Sequence, residues 1–167
     1  IVVVDKQAGV PSVHDANRPE EDMLTMLEPH YGELLVVHRL DKDTSGVLLF
    51  ARTAAAHALL SAQFESREVE KVYHALVLGN PRWDERVIDA PLLPDGDRKH
   101  RTVVDPKDGK PSVTNLKVLR RVKGVTLVEA RPETGRTHQI RVHLATAGSS
   151  IACDPLYGDG KPLLLSS

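Results

Sequence analysis

Residues 113–121 and 125–130 form two strand-like stretches joined by Lys123-Gly124. Two such stretches around a glycine-containing turn read as a β-hairpin. A hairpin fixes both the neighbour and the register of its strands, so it commits this part of the chain to antiparallel pairing. Other short segments extend the pattern. Ile1-Val2-Val3-Val4 is a β-branched apolar run of the buried-strand type. Leu34 to Val37 and Val47 to Phe50 are strand candidates, and Lys71 to Leu78 alternates until Gly79-Asn80-Pro81 stops it.

Helices are fewer. One is expected from about Glu20 to His30, with Met23, Leu24, Met26 and Leu27 as its apolar residues. A second follows Thr53, a natural N-cap, from Ala54 to about Phe64. A third runs from His138 to Ala147 and meets Gly148 at its C-terminal cap. Gln7 to Arg18 reads as loop, and Pro91 to Ser112 as a long loop holding four prolines and two glycines. Strands that outnumber helices and mostly follow one another indicate an α+β fold with a largely antiparallel sheet. The 167 residues fit one domain with a sizeable core. The chain opens on Ile1 and stops on Leu163-Leu164-Leu165-Ser166-Ser167 without a turn or cap, so truncation at both ends is expected.

The net charge of −1 by itself does not suggest a nucleic-acid partner, and its distribution is more informative. Residues 98–141 hold 12 Lys/Arg against 4 Asp/Glu, a local +8, whereas the preceding 97 hold 9 against 17, a local −8. A segregated basic stretch is an electrostatic footprint for phosphates or a solvated strand pair. Its densest part, Arg98-Lys99-His100-Arg101, makes Arg98, Lys99 and Arg101 candidate contacts to an RNA backbone. Aromatics at 4% argue against stacking platforms for single strands. No apolar run reaches the roughly 20 residues of a membrane span. The single cysteine excludes an internal disulfide framework and suits a reducing compartment.

Two segments carry chemistry. In His38-Arg39-Leu40-Asp41-Lys42-Asp43-Thr44-Ser45-Gly46 a strand feeds a polar turn, a common way to project a reactive side chain from a rigid frame. On residue types alone, a turn whose Asp and Ser serve local backbone groups accounts for it better. In Glu133-Thr134-Gly135-Arg136-Thr137-His138-Gln139-Ile140-Arg141-Val142-His143, Thr134, Gly135 and Thr137 suit a turn and helix cap. Arg136 and Arg141 then sit near a helix N-terminus, where cations oppose the dipole and call for a carboxylate or phosphate partner. His138 and His143 are five apart and on different helix faces, unlike the paired histidines of a zinc helix. A kinase is excluded by the order His-Arg-Leu-Asp and by the lack of a glycine-rich phosphate loop. Cys153 has no activating neighbour that would make it a nucleophile.

Taken together these segments resemble the RluA family of RNA pseudouridine synthases. The match lies in His38-Arg39-Leu40-Asp41 with Asp43-Thr44-Ser45-Gly46-Val47-Leu48-Leu49-Phe50-Ala51-Arg52, then Lys71-Val72-Tyr73, then Thr134 to Leu144, then Asp154-Pro155-Leu156-Tyr157-Gly158, in the family's order. Two positions depart: Gln7 stands where proline is usual, and Cys153 where glycine is usual. The accessory RNA-binding S4 domain of many members is not in this chain.

The resemblance implies a pseudouridine synthase fold, α+β, with a largely antiparallel mixed sheet and flanking helices and loops. It implies an isomerase that breaks the uridine N1–C1′ bond and rejoins the base through C5, without cofactor or metal. Asp41 is then the catalytic carboxylate, either attacking C1′ or removing a ribose proton to give a glycal. Arg141 is its cationic partner, and Tyr73 stacks on the base and helps remove the C5 proton. Ile140 closes the other face, Arg39 enters the RNA to hold the flipped state, and Thr44, Arg136 and His138 complete the substrate-binding set. The implied partner is ribosomal or transfer RNA, and a cytoplasmic monomer is expected. An RNA-binding or chaperone protein without catalysis is the competing class; the intact Asp41, Tyr73 and Arg141 favour the enzyme.

Overall fold

The computed structural model describes residues 1–14 and 21–163. The chain divides into two compact units, Ile1–Val69 and Glu70–Ser167.

The first unit contains β1 (Val2–Lys6), α1 (Met23–Tyr31), β2 (Leu35–Val36), β3 (Gly46–Ala51) and α2 (Ala54–Glu65). Its sheet has the order β1-β3-β2, with both pairings antiparallel. The central strand β3 shows the period of two that a half-covered sheet imposes: Leu48 and Phe50 are fully buried while Val47 faces out. Thr53 caps α2 as the sequence indicates, its hydroxyl accepting the Ala56 N–H at 3.2 Å. For α1 the cap is Asp22, which accepts the Thr25 N–H at 3.0 Å and its hydroxyl at 2.8 Å. The expected start at Glu20, and the later part of the loop read over Gln7–Arg18, lie outside the described residues.

The second unit contains β4 (Tyr73–Leu78), β5 (Glu85–Asp89), β6 (Leu92–Leu93), β7 (Val103–Val104), β8 (Val113–Val122), β9 (Val125–Pro132) and α3 (Gln139–Thr146). The hairpin is present as β8–β9, at the centre of a sheet ordered β4-β9-β8-β5. Ala75, Val77, Ile88, Leu116, Val128 and Ala130 line one face and form a core with Leu144 of α3. On the other face Glu85, Lys117, Glu129 and His74 stand opposite one another across four strands. Such alternating rows make register errors costly, because a one-residue slip would bury the charges.

The sequence does not reveal β5, because Ile88 is the only buried residue of this edge strand. The expected long loop over Pro91–Ser112 is instead a β6–β7 ribbon with a further bridge from Leu92 to Lys110. Prolines at both ends hide it, since only two residues on each side pair. Its return is tight: a Cβ on Gly109 would lie 2.3 Å from the Asp105 carbonyl oxygen and 2.8 Å from the Pro91 carbonyl carbon. Among the described residues every strand pairing is antiparallel, and no helix is long and apolar enough to cross a membrane.

Cys153 adopts φ 63°, the left-handed conformation that explains why glycine is usual there. Left-handed geometry costs a residue with a side chain about 1–2 kcal/mol, while glycine loses about 0.4–1 kcal/mol through the freer unfolded chain. Cys153→Gly should therefore raise stability by about 0.5–1 kcal/mol. The measurement is the urea midpoint at unchanged slope.

Candidate active site

In the first unit the site is built on the turn between β2 and β3. Asp41 is half-buried there, and its carbonyl accepts the Thr44 N–H at 3.0 Å. Backbone clamps hold the chain on both sides of it. Before Asp41, the buried Ser12 hydroxyl donates to the Leu40 carbonyl at 2.7 Å and accepts the Leu40 N–H at 3.0 Å. After Asp41, the Lys42 carbonyl accepts from the Lys6 Nζ at 2.9 Å and from the Gly9 N–H at 2.9 Å. Each neutral hydrogen bond contributes about 1 kcal/mol net, so the clamps together fix one backbone path at the carboxylate.

Lys6 is fully buried, and its ammonium also donates to the carbonyls of Gln7 at 3.0 Å and Val10 at 2.7 Å. Burial pushes the Lys6 amine below its ordinary value, and the charges of Asp43 and then Asp41 push back. Upstream, His38 accepts the Leu49 N–H at 3.1 Å and stacks on Phe64 at 4.8 Å. Leu40 turns inward while Arg39 is exposed. Thr44 is half-buried within the same turn.

In the second unit Tyr73 opens β4 opposite Ala130, and both it and Ile140 pack partly against the core. The segment Thr134–His138 is fastened by one buried amide. Gln139 Oε1 accepts the Thr134 hydroxyl at 2.7 Å and the Arg136 N–H at 3.0 Å, while Nε2 donates to the Val113 carbonyl and Thr114 hydroxyl at 2.9 Å. The helix cap expected among Thr134, Gly135 and Thr137 falls instead to His138, in a left-handed conformation without a side-chain capping bond. Arg136 is half-buried, and its Nε reaches the Pro111 carbonyl at 3.4 Å.

The carboxylate partner that the helix dipole demands of Arg141 is Asp154. Arg141 Nε and Nη2 donate to its two oxygens at 2.7 and 2.9 Å. Tyr157 closes the cluster, its ring centroid 5.1 Å from the guanidinium carbon and its hydroxyl 3.0 Å from His138 Nδ1. His143 lies on another face, fully buried, bonded to Thr114 and Ala90 and held below its ordinary value by burial. Among the described residues no group of three His, Cys, Asp or Glu is placed to hold a metal.

The basic stretch is compensated in part. Arg101 pairs with Asp97 at 2.7 Å, Arg121 with Asp84 at 2.8 Å, Lys117 with Glu85 at 3.2 Å and Arg131 with Glu129 at 2.8 Å. Arg101 also donates to the Leu156 carbonyl at 2.8 Å, so it serves the ribbon's own anchorage. Arg98, Lys99 and His100 are exposed.

The sequence pattern of the RNA pseudouridylate synthase family matches residues 1–146. The chain belongs to that family. It is 45% identical over 166 residues to an uncharacterised RNA pseudouridine synthase of Zymomonas mobilis, covering 96% of this chain and 75% of that one. It is 38% identical over 173 residues to the dual-specificity RNA pseudouridine synthase RluA of Vibrio vulnificus, covering 99% and 69%. Ribosomal large subunit pseudouridine synthase C of Vibrio cholerae is 46% identical over 140 residues, covering 83% and 43%. The human RNA pseudouridylate synthase domain containing 1 superimposes with TM-score 0.80 at 30% identity over 94% of this chain and 65% of that one. This family member thus spans 43% to 75% of the length of these curated relatives.

Lys6, Ser12 and Asp154 were not singled out as site residues by sequence reasoning, although the missing counter-charge of Arg141 was the signal for Asp154. Burial, the largest influence on the Asp154 carboxyl, pushes it up. The Arg141 guanidinium and the Leu156 and Tyr157 N–H groups outweigh burial and hold the carboxyl below its ordinary range. With the folded value below the unfolded one, the stabilisation is complete above about pH 4 and is lost as pH falls through the folded value. Asp154→Asn should cost about 3 kcal/mol at neutral pH by leaving Arg141 uncompensated. It should also show a shallower acid decline than the parent in urea titrations from about pH 5 to 2.

Proposed function

We propose that this chain isomerises uridine to pseudouridine in ribosomal or transfer RNA, with Asp41 as the reacting carboxylate. The observation that carries this reading is Asp41 on a turn clamped from both sides by Ser12 and Lys6, inside a segment with the family's sequence. A carboxylate that must meet one sugar carbon gains rate from being held in place before the substrate arrives.

The reaction breaks N1–C1′, rotates the base, forms C5–C1′, and transfers the C5 hydrogen to solvent while N1 gains a proton. Atoms and electrons balance without an oxidant or reductant. Asp41 either attacks C1′ or removes a ribose proton; both begin from the ionised carboxylate, for which Arg141 supplies the positive charge. Tyr73 and Ile140 bracket the base, and Tyr73 assists loss of the C5 proton. The target uridine is extruded from its stack at a cost of a few kcal/mol, and Arg39 fills the space it leaves. Thr44, Arg136 and His138 contact the substrate. The enzyme works as a monomer in the cytoplasm, where a lone cysteine stays reduced.

Incubation with RNA tritiated at uridine C5 should release tritium to water. Asp41→Ala should lower release by roughly 10³-fold or more while RNA binding persists. Release persisting in that variant would sink the assignment of Asp41. Arg98 and Lys99 contact phosphates, so replacing both by Ala should flatten the slope of log affinity against log salt by about 1.4–1.8. A slope equal to the parent's rejects those contacts.

A further inference from the structure

We propose that Asp154 and Tyr157 are positioning residues of the isomerisation, holding the Arg141 guanidinium in one fixed orientation. This rests on the reading that Arg141 acts at Asp41.

The Arg141 side chain is 13% exposed and that of Asp154 only 4%, so the pair is shielded from water. The two are joined by a two-bond fork, the geometry in which a guanidinium has least freedom. Asp154 does not turn freely either. Its Oδ1 accepts the backbone N–H of Leu156 at 2.9 Å and of Tyr157 at 3.1 Å besides Arg141 Nη2, so the carboxylate is fixed by its own turn. Its fork takes Nε and Nη2. The Tyr157 ring stands 5.1 Å from the guanidinium carbon, within cation–π range. That ring is pinned in turn: its hydroxyl accepts the Thr102 N–H at 3.0 Å and meets His138 Nδ1 at 3.0 Å. A guanidinium held on one edge and one face has lost the rotamers that a free arginine would have to give up in the transition state.

A merely structural clasp, tying residues 154–157 to α3, would make the same contacts. The two roles differ in kinetics. Single-turnover rates at saturating RNA, and RNA Kd, should be measured for Asp154→Asn, Tyr157→Phe, Arg141→Met and the corresponding double variants, each checked for folding by circular dichroism. Positioning predicts that Asp154→Asn lowers the rate by roughly 10- to 100-fold with Kd little changed, and Tyr157→Phe by a smaller factor. In the Arg141→Met background neither change should slow the reaction further, because the group it positions is gone. A parental rate in both folded single variants, or losses that multiply in the Arg141→Met background, overturns the proposal. A parental rate in Arg141→Met instead overturns the reading of Arg141 itself. Should Asp154→Asn not fold, the Tyr157→Phe cycle decides by the same criteria, since that variant keeps both charges and the ring.

Discussion

The Lys6 ammonium is buried completely, and its three hydrogen bonds go to the carbonyls of Gln7, Val10 and Lys42. An ammonium has three protons to donate, so this group is saturated by backbone alone. Taking it out of water costs several kcal/mol, which the carbonyl dipoles and the nearby negative charges of Asp43 and Asp41 offset. In exchange, the loop after β1 and the turn after Asp41 are tied to a single point. The path of the turn that carries Asp41 thus depends on a buried cation far from it in sequence.

The second unit solves the mirror problem. There a cation, Arg141, has to be held near the positive end of α3, and a backbone carbonyl cannot reach it from within the helix. A carboxylate from 13 residues downstream does so, and is itself locked by the N–H groups that follow it. One unit immobilises an anion's backbone with a buried lysine; the other immobilises a cation's head group with a buried aspartate. In each case the holding group is less exposed than the group it holds.

The same logic changes the meaning of the basic stretch. Along the chain, residues 98–141 carry an excess of positive charge. In space Arg101, Lys117, Arg121, Arg131 and Arg141 each meet an acid. The exposed pairs among these add little to stability, about 0–1 kcal/mol each, and they offset only part of the field that the linear count suggests. Arg98 and Lys99, between β6 and β7, face solvent, as do Lys107, Lys110, Arg120 and Lys123.

Periodicity and turn chemistry by themselves determined the β8–β9 hairpin, the strands β1, β3 and β4, the Thr53-capped helix and the α+β class, because those signals are local. The order of motifs likewise marks Asp41, Tyr73 and Arg141, and the helix dipole calls for a partner for Arg141. Only the tertiary structure decided which carboxylate that partner is, since residues 141 and 154 are joined by a helix end and turn whose path no pattern encodes. It also decided that β5 and the β6–β7 ribbon exist, because their short strands take their identity from neighbours rather than from their own residues. And it decided that Lys6 and Ser12 hold the turn that carries Asp41: a lysine in a sequence reads as surface, and only packing shows it buried.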